Sequence, residues 1–596
     1  MSTTTPLPRM LAIAIALVLA GCIEPTPFDP TLMRQYQQVV VQAGPQERVP
    51  GDLVRPAPGT TGPALQTVTD EDTGETTVYL SLEEAVRRAL WNSTTIKVVG
   101  YDPAIAREDI RIAEGAFDTV AFGTAQFVKI DSRTRSDAAA VPFLPDRSET
   151  YNFEAGVRKL LTTGGQVEVS YTVARAETFA DVLRGRDPLY TSRTAVQLTQ
   201  PLLRDAGPYV ATAQIRVARL NYDQSLEAFR SQVLDVIAEV QNTYWQLVQA
   251  RSDLAIIERL LQRSRETLAF VEARRDIDAA REQITDARAT VAAQRLAVIQ
   301  AGRVIEDIED RLVRLMADAS VSIMDDYRIL PTTEPSAEPM VIDPLDQVAL
   351  ALRYNPALAQ ARTAIRVQDV NVRVATNQTL PRLDLVAATA INGAEDTWKN
   401  SWDQMAGMDF IDYNLGLSFE YPLANRSAEA ALRQARLGRS QSVAVLQDTA
   451  DQVAVAVNEA IHLINTSYDE MEAAWEALQS RLENLEALEV RKQYRQALTP
   501  EFLNRLLAAQ ENVALAEQAL VRARVNYNTG QVALERITGT LLEAMGVLVT
   551  DVDDSLVDRL MMPRVAVTGR PGDRESADAP GVPEEEAAQT SGQTTR

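Results

Sequence analysis

The sequence contains one cysteine and one histidine among its 596 residues. A single cysteine excludes an internal disulfide framework and any cysteine-rich zinc or iron–sulfur site. A single histidine, His462, leaves almost no room for a metal centre or a catalytic triad built on imidazole. Phosphate-binding loops, nucleophile elbows and zinc-ligand spacings are also missing. We therefore expect a protein that is not an enzyme and that has no cofactor or metal.

Positive charge is in short supply as well. The chain has 59 Lys and Arg residues against 82 Asp and Glu residues, which gives a net charge of −23. Binding to nucleic acid depends on a basic surplus that displaces phosphate counterions. The sequence therefore excludes nucleic acid as a partner, whereas its 46% of apolar residues is typical of a folded protein.

The first 22 residues have the pattern of an export signal. Arg9 precedes the apolar stretch Leu11–Leu19, which is too short to span a bilayer. The stretch ends in Leu19-Ala20-Gly21-Cys22, which resembles a bacterial lipobox. That resemblance implies that Cys22 is lipidated and begins the mature protein; the alternative is ordinary cleavage beside an incidental cysteine. Ile23, rather than Asp, after the cysteine favours sorting to the outer membrane.

Composition and self-similarity divide the remaining chain. Residues 23–80 and 563–596 are poor in periodic apolar residues and predict a periplasmic linker and a disordered tail. Between them the sequence repeats, because Leu82–Leu90 is echoed by Pro344–Leu352. We predict that each repeat contains opening helices, strands and a long helical hairpin, with the first repeat at 81–330, a linker at 331–343 and the second repeat at 344–562.

A proline marks the passage from strands to helices in each repeat. Pro201 lies in the segment Thr199–Arg204, and Pro422 lies in Glu420–Leu423. Proline cannot donate to a sheet ladder, but its backbone is pre-shaped for the first turn of a helix. The sequence therefore predicts strand-to-helix switches at Pro201 and Pro422.

Two very long helical hairpins follow these prolines. Apolar residues recur every seven positions, which is typical of coiled coils with a left-handed supercoil. The outgoing helices, Leu202–Arg274 and Leu423–Ala497, are each predicted to be roughly 110 Å long at about 1.5 Å per residue, and the chain turns back near 274–278 and 496–500. The four apolar stripes are Leu226, Val233, Val240, Leu247, Leu254, Leu261 and Leu268; Ile277, Ile284, Val291, Val298, Ile305 and Leu312; Val443, Ala450, Val457, Ile464, Met471, Leu478 and Leu485; and Leu506, Val513, Leu520, Tyr527, Leu534, Leu541 and Leu548.

Six shorter segments alternate between apolar and polar residues. A transmembrane barrel strand has this pattern, and so does the half-buried strand of a soluble sheet. Six strands cannot close a membrane barrel, whose smallest examples have about eight, and open edges are not tolerated in hydrocarbon. In a membrane, several copies of the chain must therefore share one barrel. The segments are 117–130, 150–160, 166–174, 193–200, 382–392 and 411–421, and the acidic residues Glu154, Glu168 and Glu420 on their polar faces are candidates for lining a water-filled lumen.

This layout resembles the TolC-like outer-membrane efflux protein family over about residues 82–549. The features that carry the resemblance are the two helical hairpins, the opening helices with Asn355-Pro356, the segment Thr199–Arg204, and the segments Thr499–Asn504 and Thr538–Glu543. The resemblance implies an α+β membrane protein whose antiparallel coiled-coil hairpins form a periplasmic α-barrel. It also implies a transmembrane β-barrel shared by the protomers of a homotrimer in the cell outer membrane.

The function that the resemblance implies is a passive exit duct. Members of the family serve tripartite efflux pumps or type I secretion, together with a periplasmic adaptor and an inner-membrane transporter of the RND or ABC type. The sequence departs from the family pattern in three ways. Its first repeat holds four strands where the family plan has two, which raises the expected trimeric barrel from about 12 to about 18 strands. Ser93 stands where proline is usual, and Asn504 stands where Asp is frequent.

The resemblance also implies a constriction where the hairpin turns meet at the periplasmic end. Hydrogen bonds and ion pairs among the turn residues are candidates for a gate, although turn residues are also polar simply because they are exposed. The gate candidates are Arg274, Arg275, Asp276 and Asp278 in the first turn, and Arg495, Gln496, Thr499, Glu501 and Asn504 in the second.

The alternative to an exit duct is a periplasmic coiled-coil lipoprotein that acts as an envelope scaffold without conduction.

Overall fold

The computed structural model describes residues 66–69, 76–135, 143–178, 186–318, 327–494, 498–549 and 565–567. The predicted export signal with Cys22, most of the segment 23–80 and nearly all of the tail 563–596 lie outside the described residues. None of the described helices is both long and apolar enough to cross a membrane.

The first half of the chain contains two opening helices, four long strands and a helical hairpin. The first opening helix is capped by Ser81, whose Oγ accepts a hydrogen bond from the Glu84 N–H at 3.2 Å. In chain order the elements are β1 (Gln66–Thr69), β2 (Thr76–Leu80), α1 (Leu82–Asn92), α2 (Thr94–Glu114), β3 (Val120–Arg135), β4 (Phe143–Leu160), β5 (Gln166–Thr178), β6 (Leu189–Pro201), α3 (Pro208–Ala211), α4 (Ala213–Ala273), α5 (Arg281–Met316) and β7 (Tyr327–Pro331).

The second half follows the same order with fewer strands. Asn355 separates its two opening helices: its Oδ1 caps the second of them by accepting from the Ala357 N–H at 2.9 Å, and its Nδ2 donates to the Ile537 carbonyl at 2.9 Å. The elements are α6 (Pro344–Tyr354), α7 (Pro356–Gln378), β8 (Arg382–Glu395), α8 (Trp398–Ala406), β9 (Phe410–Glu420), α9 (Arg426–Gln493), α10 (Pro500–Thr538), α11 (Leu541–Ala544), β10 (Val547–Val549) and β11 (Val565–Val567).

Six strands from both halves form one antiparallel sheet, in the order β3-β4-β5-β6-β8-β9. The halves join where β6 pairs with β8, and Thr194 lies opposite Ile391 at this junction. All six segments that the alternation predicted are strands, and β4 begins at Phe143 rather than near Thr150. The sequence hid this extension because Pro145 and the charged residues after it are unusual in strands, whereas backbone pairing with β3 continues through them.

The pairing register gives the sheet a polar face and an apolar face. Residues directly opposite each other on neighbouring strands share a face. One row across the polar face is Thr124, Glu154, Thr172, Arg193 and Asn392. One row across the apolar face is Val157, Val169, Val196, Thr389 and Tyr413.

The helical hairpins are antiparallel, as the seven-residue stripes predicted. The helix α4 has 61 residues and α9 has 68, so they extend for about 90 and 100 Å at about 1.5 Å per residue. Stripe residues such as Val240, Leu247, Val457 and Val513 are completely buried. Ile277 was wrongly assigned to a stripe: it lies in the turn before α5 and is 77% exposed.

The two prolines lie at the predicted passages from strand to helix, but the helices begin several residues after them. Pro201 is the last residue of β6, and the following helix begins only at Pro208, after a turn through Gly207 with φ of 94°. Pro422 lies in a turn in which its carbonyl accepts from the Asn425 N–H at 3.0 Å, and α9 begins at Arg426. Both prolines thus lie between a strand and a long helix, but neither is a first-turn residue of that helix.

A small three-stranded sheet contains β1, β2 and β7, from the beginning and the end of the first half. The strand β2 pairs in parallel with β7 and antiparallel with β1. The buried hydroxyl of Tyr244 in α4 donates to the Leu80 carbonyl at 3.1 Å and accepts from the Thr333 N–H at 2.9 Å. The end of the predicted linker 23–80 therefore belongs to this sheet, because its partner β7 lies far away in sequence, where no local pattern reveals the pairing.

Residues 331–343, predicted as the linker between the repeats, are bonded to α10. The Ser336 N–H donates to Asn528 Oδ1 and Asn528 Nδ2 donates to the Ser336 carbonyl, both at 3.0 Å. The Tyr527 hydroxyl donates to the Glu338 carbonyl at 2.6 Å. The connection between the halves is thus fixed along the second hairpin.

Close packing of α9 against α10 depends on a glycine. A Cβ on Gly530 would lie 2.8 Å from Ile464 Cγ1, whereas a Cβ on Gly302 in α5 would meet no atom within 4 Å. Ile464 is β-branched and almost fully buried, so it cannot move aside easily.

We predict that Gly530→Ala lowers the melting temperature of the purified protein, because overpacking costs about 1–3 kcal/mol and exceeds the helix-propensity gain of about 1 kcal/mol. Gly302→Ala is the matched control, which gains the propensity without the collision and should leave the melting temperature unchanged or raised. Thermal unfolding in detergent, followed by circular dichroism, measures both. Equal behaviour of the two variants would contradict the packing described here.

Candidate functional site

The turns of the two long hairpins contact each other at one end of the molecule. The first turn connects α4 to α5 and the second connects α9 to α10. We call residues 274–283 and 498–504 the hairpin tip. Four of the gate candidates of the first turn and three of the second lie in it.

Asp278 joins the two turns. Arg274 Nε donates to Asp278 Oδ1 at 2.8 Å, and a second guanidinium nitrogen bonds to Oδ2. The Leu498 N–H of the other turn donates to Asp278 Oδ2 at 2.9 Å. The hydrogen bond from Arg274, followed by that from Leu498, lowers the pKa of Asp278, because both stabilise the ionised carboxylate.

Gln283 bonds to the carbonyl of Leu498, the residue whose N–H bonds to Asp278. It is buried, and its Nε2 donates to the Leu498 carbonyl at 3.1 Å while its Oε1 accepts from the Ala280 N–H at 2.8 Å. Both backbone polar groups of Leu498 are therefore bonded to the first turn. The Leu498 side chain packs in an apolar cluster with Val271, Ile284 and Leu503.

The aromatic ring of Phe270 lies next to the tip and contacts two cationic side chains. The Phe270 ring centre is 5.4 Å from the Arg274 guanidinium and 5.0 Å from Lys492 Nζ. Burial lowers the pKa of Lys492, against the opposing effect of Glu489 and Glu266. Lys492 belongs to α9 and Phe270 to α4, so this contact also connects the two hairpins.

The other predicted gate residues have simpler roles or none in the described contacts. Thr499 caps α10, because its Oγ1 accepts from the Phe502 N–H at 3.2 Å. Glu501 is exposed in the first turn of α10, where a negative charge suits the helix dipole. Arg275 and Asp276 are exposed. Arg495 and Gln496 lie outside the described residues.

Asn504 is exposed and lies beside a small cavity between α4, α5 and α10. The cavity has a volume of about 260 Å³, and its polar lining includes Ser264, Asp286 and Glu511. Asn504 is therefore separate from the contacts around Leu498. The position at which the family frequently has Asp is thus an amide on the hairpin flank.

Sequence reasoning missed Gln283, Leu498, Phe270 and Lys492. Signals were available for two of them: Leu498 is an apolar residue within a polar turn, and Gln283 stands at the third position of a helix, where glutamine often caps. The contact between the turns is long-range, so no local pattern pairs them.

The three acidic residues of the polar sheet face have different neighbours. Glu154 lies opposite Thr124 and Thr172, whereas Glu168 lies opposite Arg158. Glu420 lies opposite Arg382. Arginines therefore offset part of the acidic charge on this face.

A metal centre finds no support in the part of the chain that the structure describes. No group of three or more His, Cys, Asp or Glu side chains there is placed to hold an ion. His462 is an exposed residue of α9.

Sequence comparison with known proteins finds similarity in the second half of the chain. Residues 348–540 match the family described as outer membrane efflux protein. The outer membrane protein TolC of Escherichia coli (strain K12) is 27% identical over 199 residues, which are 32% of this chain and 39% of TolC. The chain thus matches about two fifths of the length of this curated relative.

Solved structures extend the similarity to most of the chain. The Campylobacter jejuni CmeC outer membrane channel has a TM-score of 0.56 at 15% identity, covering 77% of this chain and 86% of CmeC. The outer-membrane channel OprN has a TM-score of 0.57 at 18% identity, covering 77% and 90%. The open state of the Neisseria gonorrhoeae MtrE outer membrane channel has a TM-score of 0.55 at 15% identity, covering 77% and 89%.

These matches confirm the resemblance and the α+β fold predicted from the sequence. Residues 348–540 are similar in sequence to the outer membrane efflux proteins, and 77% of the chain shares the fold of outer-membrane channels such as CmeC and OprN.

Proposed function

We propose that this protein is the outer-membrane exit duct of a tripartite efflux pump or type I secretion system. The observation that carries the proposal is one continuous six-stranded sheet, polar on one face and apolar on the other, from which two long helical hairpins extend. An apolar outer face suits lipid and a polar inner face suits a water-filled lumen. The alternative, a scaffold without conduction, gives no reason for this amphipathic sheet.

The open edges of the sheet support a shared barrel. Within the described residues β3 and β9 each pair on one side only, and β9 is exposed along almost its whole length. Such edges cannot remain unpaired in hydrocarbon. A homotrimer in which β9 of each protomer pairs with β3 of the next closes about 18 strands, within the range of known barrels. The helical hairpins of three chains then continue the wall as an α-barrel in the periplasm.

The localisation follows from the sheet and the first residues together. The barrel spans the outer membrane, the hairpins extend into the periplasm, and lipidated Cys22 anchors the chain as a second attachment. In this proposal the duct itself is passive. A periplasmic adaptor and an inner-membrane transporter of the RND or ABC type supply the cargo and the energy.

The hairpin tip is the proposed gate. Asp278 and Gln283 bind both backbone groups of Leu498, so the two hairpins of one chain cannot separate at the tip while these bonds persist. Separation of the hairpins widens the periplasmic entrance. The gate thus depends on Arg274, Asp278 and Gln283, whereas Thr499 maintains the end of α10.

We predict that cysteines on facing edges crosslink neighbouring protomers. Thr124→Cys in β3 is combined in turn with Asn414→Cys, Gly416→Cys and Ser418→Cys in β9, all of which belong to the polar face. Directly opposite residues lie about 4.5–5.5 Å apart, which suits a disulfide. Oxidation should give a ladder up to trimers in denaturing gels without reducing agent.

Thr124→Cys alone is the control, because Cys22 is the only other cysteine in the sequence. The same protein should conduct ions in planar bilayers. A monomer that neither crosslinks in any register nor conducts would favour the scaffold and refute the duct.

We predict that Asp278→Asn raises single-channel conductance at pH 7, because the amide loses the ion pair with Arg274 and weakens the bond from Leu498. Asp276→Asn, which changes an exposed carboxylate of the same turn that makes no described side-chain hydrogen bond, is the matched control and should leave conductance unchanged. If Asp278→Asn behaves like this control, Asp278 is not part of the gate.

The wild-type gate should also open in acid. Because the folded pKa of Asp278 is lowered, its bonds stabilise the closed tip fully above the ordinary aspartate pKa of about 3.9, and this contribution disappears as the pH falls through the lower folded value. Conductance should therefore rise only below about pH 4. Asp278→Asn should lack this acid step, and an identical pH profile in both proteins would contradict the assignment.

A further inference from the structure

An apolar groove that the gate and the lumen do not explain runs over the apolar face of the sheet beside α8. Its volume is about 510 Å³, and its lining includes Phe127, Tyr151, Phe153, Val173, Tyr190 and Trp398. Five of these six side chains come from the strands of the first half, which has two strands more than the family plan. The sixth, Trp398, is contributed by α8 and is 53% exposed.

The helix α8 is fixed against this face. Ser401 Oγ donates to the Gly393 carbonyl at 3.0 Å, and a Cβ on Gly393 would lie only 2.0 Å from the Ser401 carbonyl oxygen, so the close approach requires glycine. The Trp402 ring stands edge-on to Tyr171 with centres 5.2 Å apart. Trp398 Nε1 donates to the Tyr171 hydroxyl at 3.4 Å. These contacts fix α8, which forms one wall of the groove, to the sheet.

The rim of the groove carries a cation. The Arg175 guanidinium lies 5.7 Å from the Tyr151 ring centre, and it donates to Glu177 at 3.0 Å. Arg175 also bonds to the Tyr190 side chain opposite it. A guanidinium has five N–H donors, more than these two partners use, and it suits the geometry of a phosphate. Lys129 lies two residues after Phe127 in β3 and pairs with Glu149 at 2.7 Å.

The position of Arg175 along β5 places it at the depth of the outer leaflet of a bilayer. Arg175 lies nine residues beyond Gln166, the end of β5 that faces the helices, and thus about 30 Å along the strand. With a tilt of about 45° this is about 20 Å above the periplasmic edge of an apolar band about 25 Å tall. Tyrosines, tryptophans and arginines at such a depth are typical of a membrane–water interface.

We propose that the groove binds one acyl chain of an anionic, phosphate-bearing lipid of the outer leaflet, with the phosphate bound by Arg175. This site rests on the proposed function, because it requires the apolar face of the sheet to lie in a membrane. The aromatic groove accepts the hydrocarbon and the cation at its rim selects the anionic headgroup. The lipid thereby fastens α8 and the additional strands together at the outer end of the barrel.

Trp398 serves as the reporter in the experiment that tests the site. The full-length protein is reconstituted into phosphatidylcholine vesicles that contain a small fraction of either brominated phosphatidylglycerol or brominated phosphatidylcholine. Bromine on the acyl chain quenches tryptophan fluorescence by contact, and the difference between wild type and Trp398→Phe isolates the quenching at Trp398. We expect quenching by the anionic lipid to require about fivefold less brominated lipid, the selectivity that one basic residue gives at a membrane surface.

Two variants and a control separate binding from general lipid contact. Arg175→Gln should abolish the preference for the anionic lipid but leave quenching by both. Ala125→Phe, which fills the groove from β3, should reduce quenching by both. Arg193→Gln on the polar face is the matched control and should change neither.

Equal quenching by the two lipids in the wild type, with no effect of Arg175→Gln or Ala125→Phe, overturns the site. If the same vesicles still conduct ions, the proposed duct stands and only the lipid site is wrong. If the vesicles do not conduct and no brominated lipid quenches Trp398, both the duct and the site are wrong.

Discussion

The rest of the structure depends on the pairing of two sheet edges. Within the described residues, the strands β3 and β9 each pair on one side only, at opposite ends of one six-stranded sheet. In hydrocarbon each unpaired backbone group costs several kcal/mol, so a position in the membrane requires other chains to pair these edges. In the proposed barrel, self-association is therefore a condition of membrane insertion. The proposed trimer also accounts for the arrangement of the long hairpins, because three sheets in a ring place six hairpins side by side below them.

Periodic features of this molecule could be predicted from the sequence. The alternation in Tyr413–Tyr421 predicted a strand, and the seven-residue stripe through Val240 and Leu247 predicted a helix. An element with one apolar face carries apolar residues at a regular spacing in the sequence. The turn at 274–278 was predicted as well, since the stripe stops there. Such features arise from residues that are near neighbours in the chain.

Features that arise from distant pairing could not be predicted in this way. The strand β2 pairs with β7 across the whole first half, and Asp278 bonds to Leu498 of the other hairpin. The prolines marked the passage from strand to helix correctly, but not the first residue of the helix. Pro201 is tolerated at the end of β6 because its missing N–H is not needed there, and the helix begins only at Pro208, after Gly207. Local propensity fixes what a residue tolerates, and the tertiary context decides which tolerated role it takes.

The wall and the tip are held by different kinds of contact, and this difference explains how a stable duct can open. The hairpin stripes bury many fully enclosed side chains, such as Val240, Leu247 and Val513, along helices of about 90 Å or more. At the tip the two hairpins are joined by one carboxylate, one amide, a small apolar cluster around Leu498 and the neighbouring contact of Phe270 with Lys492. A partner that competes for the backbone of Leu498 can therefore part the hairpins locally without disturbing the wall above. Rigidity and opening are thus assigned to separate residues of the same helices.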